Sequence, residues 1–155
     1  MAYIPKGAKG IQDADAELCS AQPIPTDGAD DKSDDNVDLQ LALSNAGGGN
    51  PIRIDIVVTT AITVASGTSS KLEIVALTSD DAADTIGGCT EHSVIATLEY
   101  STRDAAWPAI GFTTSGFLPA NPGEDYLQFL HLALRPVGDD TLFSAGAIDA
   151  FINMG

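Results

Sequence analysis

The segment Ile52-Arg53-Ile54-Asp55-Ile56-Val57-Val58 constrains the fold more than any other part of the chain. Ile52, Ile54, Ile56 and Val58 fall on one face of an extended backbone, with Arg53 and Asp55 opposite, and this period of two marks a half-buried strand. β-branched residues continue through Thr59-Thr60-Ala61-Ile62-Thr63-Val64, so the strand is long. An acidic lead-in, Asp34-Asp35-Asn36, precedes a shorter alternating strand in which Val37, Leu39 and Leu41 share a face. Between the two strands, Gly47-Gly48-Gly49-Asn50-Pro51 reads as a turn with positive φ. Such a stretch suits a β-domain that lies on, or joins into, something larger.

The same grammar recurs downstream. Lys71 to Leu77 places Leu72, Ile74 and Ala76 on one side, and His92 to Tyr100 reads as a further strand. Tyr126 to Leu134 is apolar on both faces, as expected for a central strand, and Ala147 to Ile152 closes the series. Turn-forming residues separate these runs: Ser66-Gly67-Thr68-Ser69-Ser70, a polar loop from Ser79 to Gly88, Asn121-Pro122-Gly123, and a hairpin-like Val137-Gly138-Asp139-Asp140. Residues 23–36 form a turn-rich loop with Pro23, Pro25, Gly28 and five aspartates. The best helical window, Thr78 to Ile86, is short and acidic. Seven or eight strands separated by Gly, Pro and Asp turns predict an all-β antiparallel sandwich over residues 17–155. Residues 1–16, with Lys6 and Lys9, read as an extended N-terminal arm that orders when another chain pins it.

At 155 residues and 44% hydrophobic, the chain can bury one real core. Its 22 Asp and Glu against 7 Lys and Arg give a formal net charge of −15, which repels nucleic acid and anionic membranes alike. The acidity fits either a solvated face or a surface that meets a basic partner. The most apolar window, Ile52 to Ala65, holds Arg53 and Asp55 and is too short to span a bilayer as a helix. Met1 to Gly10 lacks the apolar core of a signal peptide, so secretion by that route is not expected. Two cysteines, Cys19 and Cys89, are expected to be reduced thiols.

Tests for site chemistry give little. Cys89 and His92 form one C-x-x-H pair, which Cys19 and His131 would have to complete for zinc, but neither belongs to a second motif. The Asp clusters fail as calcium loops: counted from Asp27 the third position is Ala29, and from Asp31 the twelfth is Ala42. A cation site built from loop carboxylates stays open beside the plainer reading of turn aspartates. No G-x-S-x-G occurs, Thr113-Thr114-Ser115-Gly116 being the nearest, and the glycine turn lacks the Lys-Ser/Thr of a phosphate loop. No catalytic residue, cofactor or metal is therefore expected. Carbohydrate binding by a β-sandwich module of a virion or cell-surface protein is the rival function, with Trp107 beside Pro108 as its candidate platform or, equally, a cap on the core. A hydrolase has no positive indication.

The order of several pieces resembles the capsid cement (decoration) proteins of tailed bacteriophages of the Bordetella-phage type. These pieces are Cys19-Ser20-Ala21-Gln22, then Ser33-Asp34-Asp35-Asn36-Val37-Asp38-Leu39, then Gly47-Gly48-Gly49-Asn50-Pro51 before the long strand. Leu72-Glu73-Ile74-Val75-Ala76-Leu77-Thr78-Ser79, Asp125-Tyr126-Leu127-Gln128-Phe129 and Ala147-Ile148-Asp149-Ala150-Phe151 follow, with Asp125 and Gln128 where that family has basic residues. The similarity runs over residues 17–153 in the right order. It implies a jelly roll and a structural, non-enzymatic virion protein made in the host cytoplasm. It further implies binding outside the major capsid protein shell, bracing of neighbouring capsomers, and assembly with itself as a dimer or trimer.

Overall fold

The computed structural model describes residues 17–39, 52–64, 70–99, 109–118, 126–138 and 143–153. The arm at 1–16, the glycine turn at 47–51, the loop at 66–69, Trp107 and the Asn121-Pro122-Gly123 turn lie outside them. Nine strands are present: β1 Glu17–Pro23, β2 Asp31–Lys32, β3 Val37–Asp38, β4 Ile52–Val64, β5 Ser70–Ser79, β6 Thr90–Glu99, β7 Thr113–Leu118, β8 Phe129–Gly138 and β9 Phe143–Asn153. A 3-10 turn at Ile86–Gly88 follows β5, and the acidic window Thr78 to Ile86 is strand end and loop, not a helix.

The strands form two antiparallel sheets packed face to face. One has the order β1-β9-β4-β7; the other has the order β2-β8-β5-β6, with β3 also on the free side of β8. β2 and β3 behave as one strand interrupted at residues 33–36. Lys32 pairs with Ala133 and Val37 with Leu130, and between them the Ser33 hydroxyl accepts the Leu132 N–H at 2.9 Å. Ser33 thus supplies from its side chain the acceptor that the broken strand cannot.

The alternation in β4 has the expected outcome on its inner face. Ile54, Ile56 and Val58 are buried against Leu72, Ile74, Leu130, Leu132 and Leu134 of the opposite sheet, with Leu18, Phe143, Ile148 and Ile152 in the same core. Burying such a side chain is favourable by roughly 1.5–3 kcal/mol. The central position predicted for Tyr126–Leu134 belongs to β8, which is paired on both sides. Its second face is closed by a loop: Val75, Leu77 and Ala133 on the outside of the sheet form a separate small cluster under Ile86 and Cys89.

Two expectations need correction, and two strands add to those read from the sequence. The turn after Val137 is no hairpin, because β8 pairs with β5 while β9 pairs with β4 and β1, so the connection crosses between the sheets. The stretch from Thr113 to Leu118 is a strand, β7, and so is Glu17–Pro23. Asp55, placed opposite the core by the alternation, is itself 6% exposed. Neighbouring polar groups surround it.

Candidate functional site

Thr78 and Ser79 end β5 and, being adjacent in a strand, point to opposite faces. On one face the Thr78 hydroxyl is 2.6 Å from His92 Nε2 and accepts the Leu127 N–H at 3.2 Å, while the His92 ring meets Tyr126 edge-on. On the other face Ser79 Oγ lies 2.7 Å from Nε2 of the buried His131. The C-x-x-H pair is thereby split: His92 serves the first face, whereas Cys89 packs on the second, where its thiol donates to the Thr85 carbonyl at 3.4 Å. Cys19 lies in the core between the sheets. Among the described residues no cluster of three or more His, Cys, Asp and Glu could hold a metal ion.

Ser79, His131 and Cys89 are the nearest approach to a nucleophile and base, and proton placement decides what they can do. The Ser79 hydroxyl has one hydrogen, which it donates to the Asp81 carbonyl at 2.7 Å. With that hydrogen on Asp81, the contact with His131 is assigned as an Nε2–H donated to Ser79 Oγ. In that tautomer the imidazole presents a proton to Ser79, where a general base needs a lone pair. The remaining lone pair, on Nδ1, is buried without a partner. Burial lowers the His131 pKa below its usual 6.5, and the nearby Lys32 ammonium adds to that. Burial also raises the Cys89 thiol, which argues against a reactive thiolate.

These groups instead fasten the loop 80–89 to the sheet. Lys32 Nζ donates to the Asp84 carbonyl, Asn36 Nδ2 to the Ala82 carbonyl at 3.4 Å, and Asp81 caps its own turn by accepting the Ala83 N–H. Arg135 clamps the same face, forking onto both oxygens of Glu91 at 2.9 and 2.7 Å and reaching Asp30 at 2.9 Å. The turn aspartates are partly accounted for in this way. Asp27 accepts the Ala29 N–H, and Asp31 has a raised pKa, from partial burial and then from Asp27, Asp34 and Asp30.

The segments that carried the resemblance prove to be mechanical neighbours. Gln22 is buried, donates to the Lys32 carbonyl at 2.9 Å and accepts the Asp34 N–H at 2.7 Å, which ties the Cys19–Gln22 segment to the Ser33–Leu39 segment. Gln128 Nε2 donates to Asp38, and the Leu39 N–H to the Gln128 carbonyl, so the third segment joins them. Ala21 takes φ 45° and donates its N–H to Asp149 of β9 at 2.7 Å. These residues hold strands together.

On the outside of the other sheet, the Asp55 carboxylate accepts from Ser115 Oγ at 2.7 Å, Asn153 Nδ2 at 2.8 Å and Arg53 Nε at 2.9 Å. Burial pushes this carboxyl up, but the three donors outweigh it and hold it below the usual carboxylate range. The node stitches β4 to both its neighbours, β7 and β9. Beside it, Phe117 is 56% exposed, and Ile110 and Phe112 of the turn entering β7 are 67% and 44% exposed. Nothing in the sequence distinguishes this edge, because an edge exists only once the strand order is known. Comparison of the chain with protein-family models, with curated proteins and with solved structures returns no match.

Proposed function

We propose that this protein is a virion structural protein that binds the outer surface of a major capsid protein shell and braces contacts between capsomers, as a cement or decoration protein. The observation that carries this reading is the nesting of the strand pairs. β5 pairs with β6, β4 with β7, β2 and β3 with β8, and β1 with β9, as in one long hairpin rolled up on itself. Pairs β4·β9 and β5·β8 then join the turns of the roll into two sheets. That winding supports a jelly roll, the fold that the resemblance over residues 17–153 implies. The chemistry agrees with a brace: the Ser79–His131 pair is protonated the wrong way for catalysis, and the polar clusters are spent on internal fastening. A brace needs exposed area and avidity over many copies.

The test starts from the neighbourhood of the gene, where this reading expects a major capsid gene, and uses shells of that capsid protein prepared without this chain. Adding the purified protein should give saturable binding, new density on the outer surface by cryo-microscopy, and greater resistance of the shells to heat or denaturant. Shells that bind none of it, or bind it with no gain in resistance, would sink the reading.

A further inference from the structure

His131 stands on the outer face of β8, two residues before Ala133 and opposite Leu77 of β5. It is 1% exposed. Among the described residues the element over this face is the loop 80–89, which seats Ile86 and Cys89 on Val75, Leu77 and Ala133. The imidazole is tied to that loop through one atom: Ser79 Oγ accepts the Nε2 proton and gives its own to the Asp81 carbonyl. The other ring nitrogen, Nδ1, is buried with no hydrogen-bond partner. Lys32 of β2 opposes a positive charge on the ring, and Asp84 of the loop favours one less strongly. Also on the loop, the Cys89 thiol is bonded to the Thr85 carbonyl, and the Asp81 carboxylate is turned to the Ala83 N–H. Farther along the same face, Arg135 of β8 is paired with Glu91 of β6 and with Asp30.

A second proton cannot be accommodated here without movement. It would place a buried positive charge near the Lys32 ammonium and turn Nδ1 into a buried donor with nothing to accept from it. Contact with water removes both costs. Of the elements packed on His131, the loop is the one that can leave by itself. β5 and β8 are held by pairing that runs from Ser70↔Gly138 to Ser79↔Phe129, with their inner faces in the main core. The loop is held by two partly buried residues, Ile86 and Cys89, and by side chains of Lys32, Asn36 and Ser79 bonded to its carbonyls. So few buried contacts put it at the low end of local stability.

We propose that the loop 80–89 is an acid-released flap: protonation of His131 unseats it from β5 and β8 while both sheets stay folded, and so uncovers an apolar face. That face joins Val75, Leu77 and Ala133 to Val94, the register partner of Val75, which is already 46% exposed. The patch then spans three neighbouring strands, β6, β5 and β8. In the open form the ring meets water and titrates near its ordinary 6.5, whereas in the closed form burial, and then Lys32, hold it lower. The closed form is therefore fully favoured above about pH 6.5. Below that, the open-to-closed ratio rises about tenfold per pH unit until the lowered value is reached. Ordinary carboxylates titrate near about 4, beneath this range.

Amide hydrogen exchange of the full chain tests this, with each rate divided by the intrinsic rate at the same pH. The amides to follow are Asp84, Gly88 and Cys89, which bond to the Asp81, Thr85 and Ile86 carbonyls. Their protection should fall at least about threefold between about pH 7 and 5.5, while the amides of β4 and β9 keep theirs. His131→Gln retains a donor toward Ser79 and cannot be charged, so its loop protection should not change over that range. Should that variant fold poorly, the unaltered protein decides the matter: the fall must level off where the His131 ring resonance titrates, below pH 6.5. Loop protection that ignores pH, loss of β4 and β9 protection together with the loop, a fall that persists in His131→Gln, or a ring that titrates at its ordinary value would each overturn the proposal. Shells play no part in this experiment, so its failure leaves the capsid reading standing, and the reverse also holds.

Discussion

The outer face of β5 and β8 and the outer edge of β7 are both places where a sandwich meets water, and the chain treats them in opposite ways. Over β5 and β8 it folds its own loop 80–89, seats Ile86 and Cys89 on Val75, Leu77 and Ala133, and fastens the cover with Lys32, Asn36, Ser79 and His131. Arg135 adds a clamp to Glu91 and Asp30. At β7 it exposes Phe117 and supplies neither charge nor bulge. The first face is finished within one chain, and its polar groups are consumed in finishing it. Among the described residues the second has a strand partner on one side only, β4, and keeps an apolar surface. In an acidic protein that contrast separates a face closed by its own loop from an edge that stays uncharged and apolar.

The sharpest way to break the comparison is at the point where the β7 edge leans on its neighbour. Gly116→Ala puts a methyl group 2.0 Å from the Ile95 carbonyl oxygen, a backbone atom that cannot step aside without moving β6. The expected loss is about 3 kcal/mol or more, seen as a large fall in denaturant midpoint. A variant as stable as the parent would mean that β6 does not lie beneath β7. Asp55→Ala comes next. It strands the Arg53, Ser115 and Asn153 donors on the outside of β4, β7 and β9, and the expected cost is about 2–3 kcal/mol, measured by chemical denaturation. A loss confined to a few tenths would show that water replaces the carboxylate freely.

The smallest effect belongs to the covered face and depends on pH. His131 is buried neutral and its folded pKa lies below the usual 6.5, so between those two values the unfolded chain binds more protons than the folded one. Stability is therefore fully present above about pH 6.5 and declines as pH falls through that window toward the lowered value. The groups facing His131 set the size of the effect: Ser79 accepts its Nε2 proton, the Lys32 ammonium opposes a second charge, and Asp84 favours one. His131→Gln keeps an Nε2 donor toward Ser79 and removes the titration. Its thermal midpoint should stay flat from about pH 6.5 to 5 where the parent's falls. Equal slopes in the two proteins would assign the pH dependence elsewhere.

Much of the sandwich is legible in the residues taken in order, and the exceptions have physical causes. β4 stands out because Ile52, Ile54 and Ile56 alternate with Arg53 and Asp55 and the inner face is uniformly branched. β1 does not, because its register shifts at Cys19 and Gln22 put Leu18 and Cys19, adjacent in sequence, both inside. β7 is hidden for a different reason: Gly116 is small because β6 passes beneath it, and Thr-Thr-Ser-Gly resembles a turn until that neighbour is known. Asp55 reads as a solvent-facing residue since the period of two distinguishes faces and cannot tell which outer face is crowded. The Ser79–His131 contact joins residues 52 apart through the pairing of β5 with β8, and no local pattern encodes it. The Gln22 lock joins segments that stand apart in the sequence as separate motifs, and their common purpose lies in the hydrogen bonds between them.

The rolled hairpin also governs when this protein can become itself. The bond from the Ala21 N–H to Asp149 spans 128 residues, and β4 completes its sheet by pairing with β9. During synthesis β5 and β6 can zip together early, whereas β1 must wait for its partner β9 to leave the ribosome. Loops this long are costly to close before any contact rewards them, so folding is slow compared with helical proteins of similar size. Over that interval the nascent chain carries its strongest hydrophobic strand, Ile52–Val64, with an open edge where β9 will later sit. Its high negative charge then acts in time as well as in space, keeping incomplete chains apart until the roll has closed.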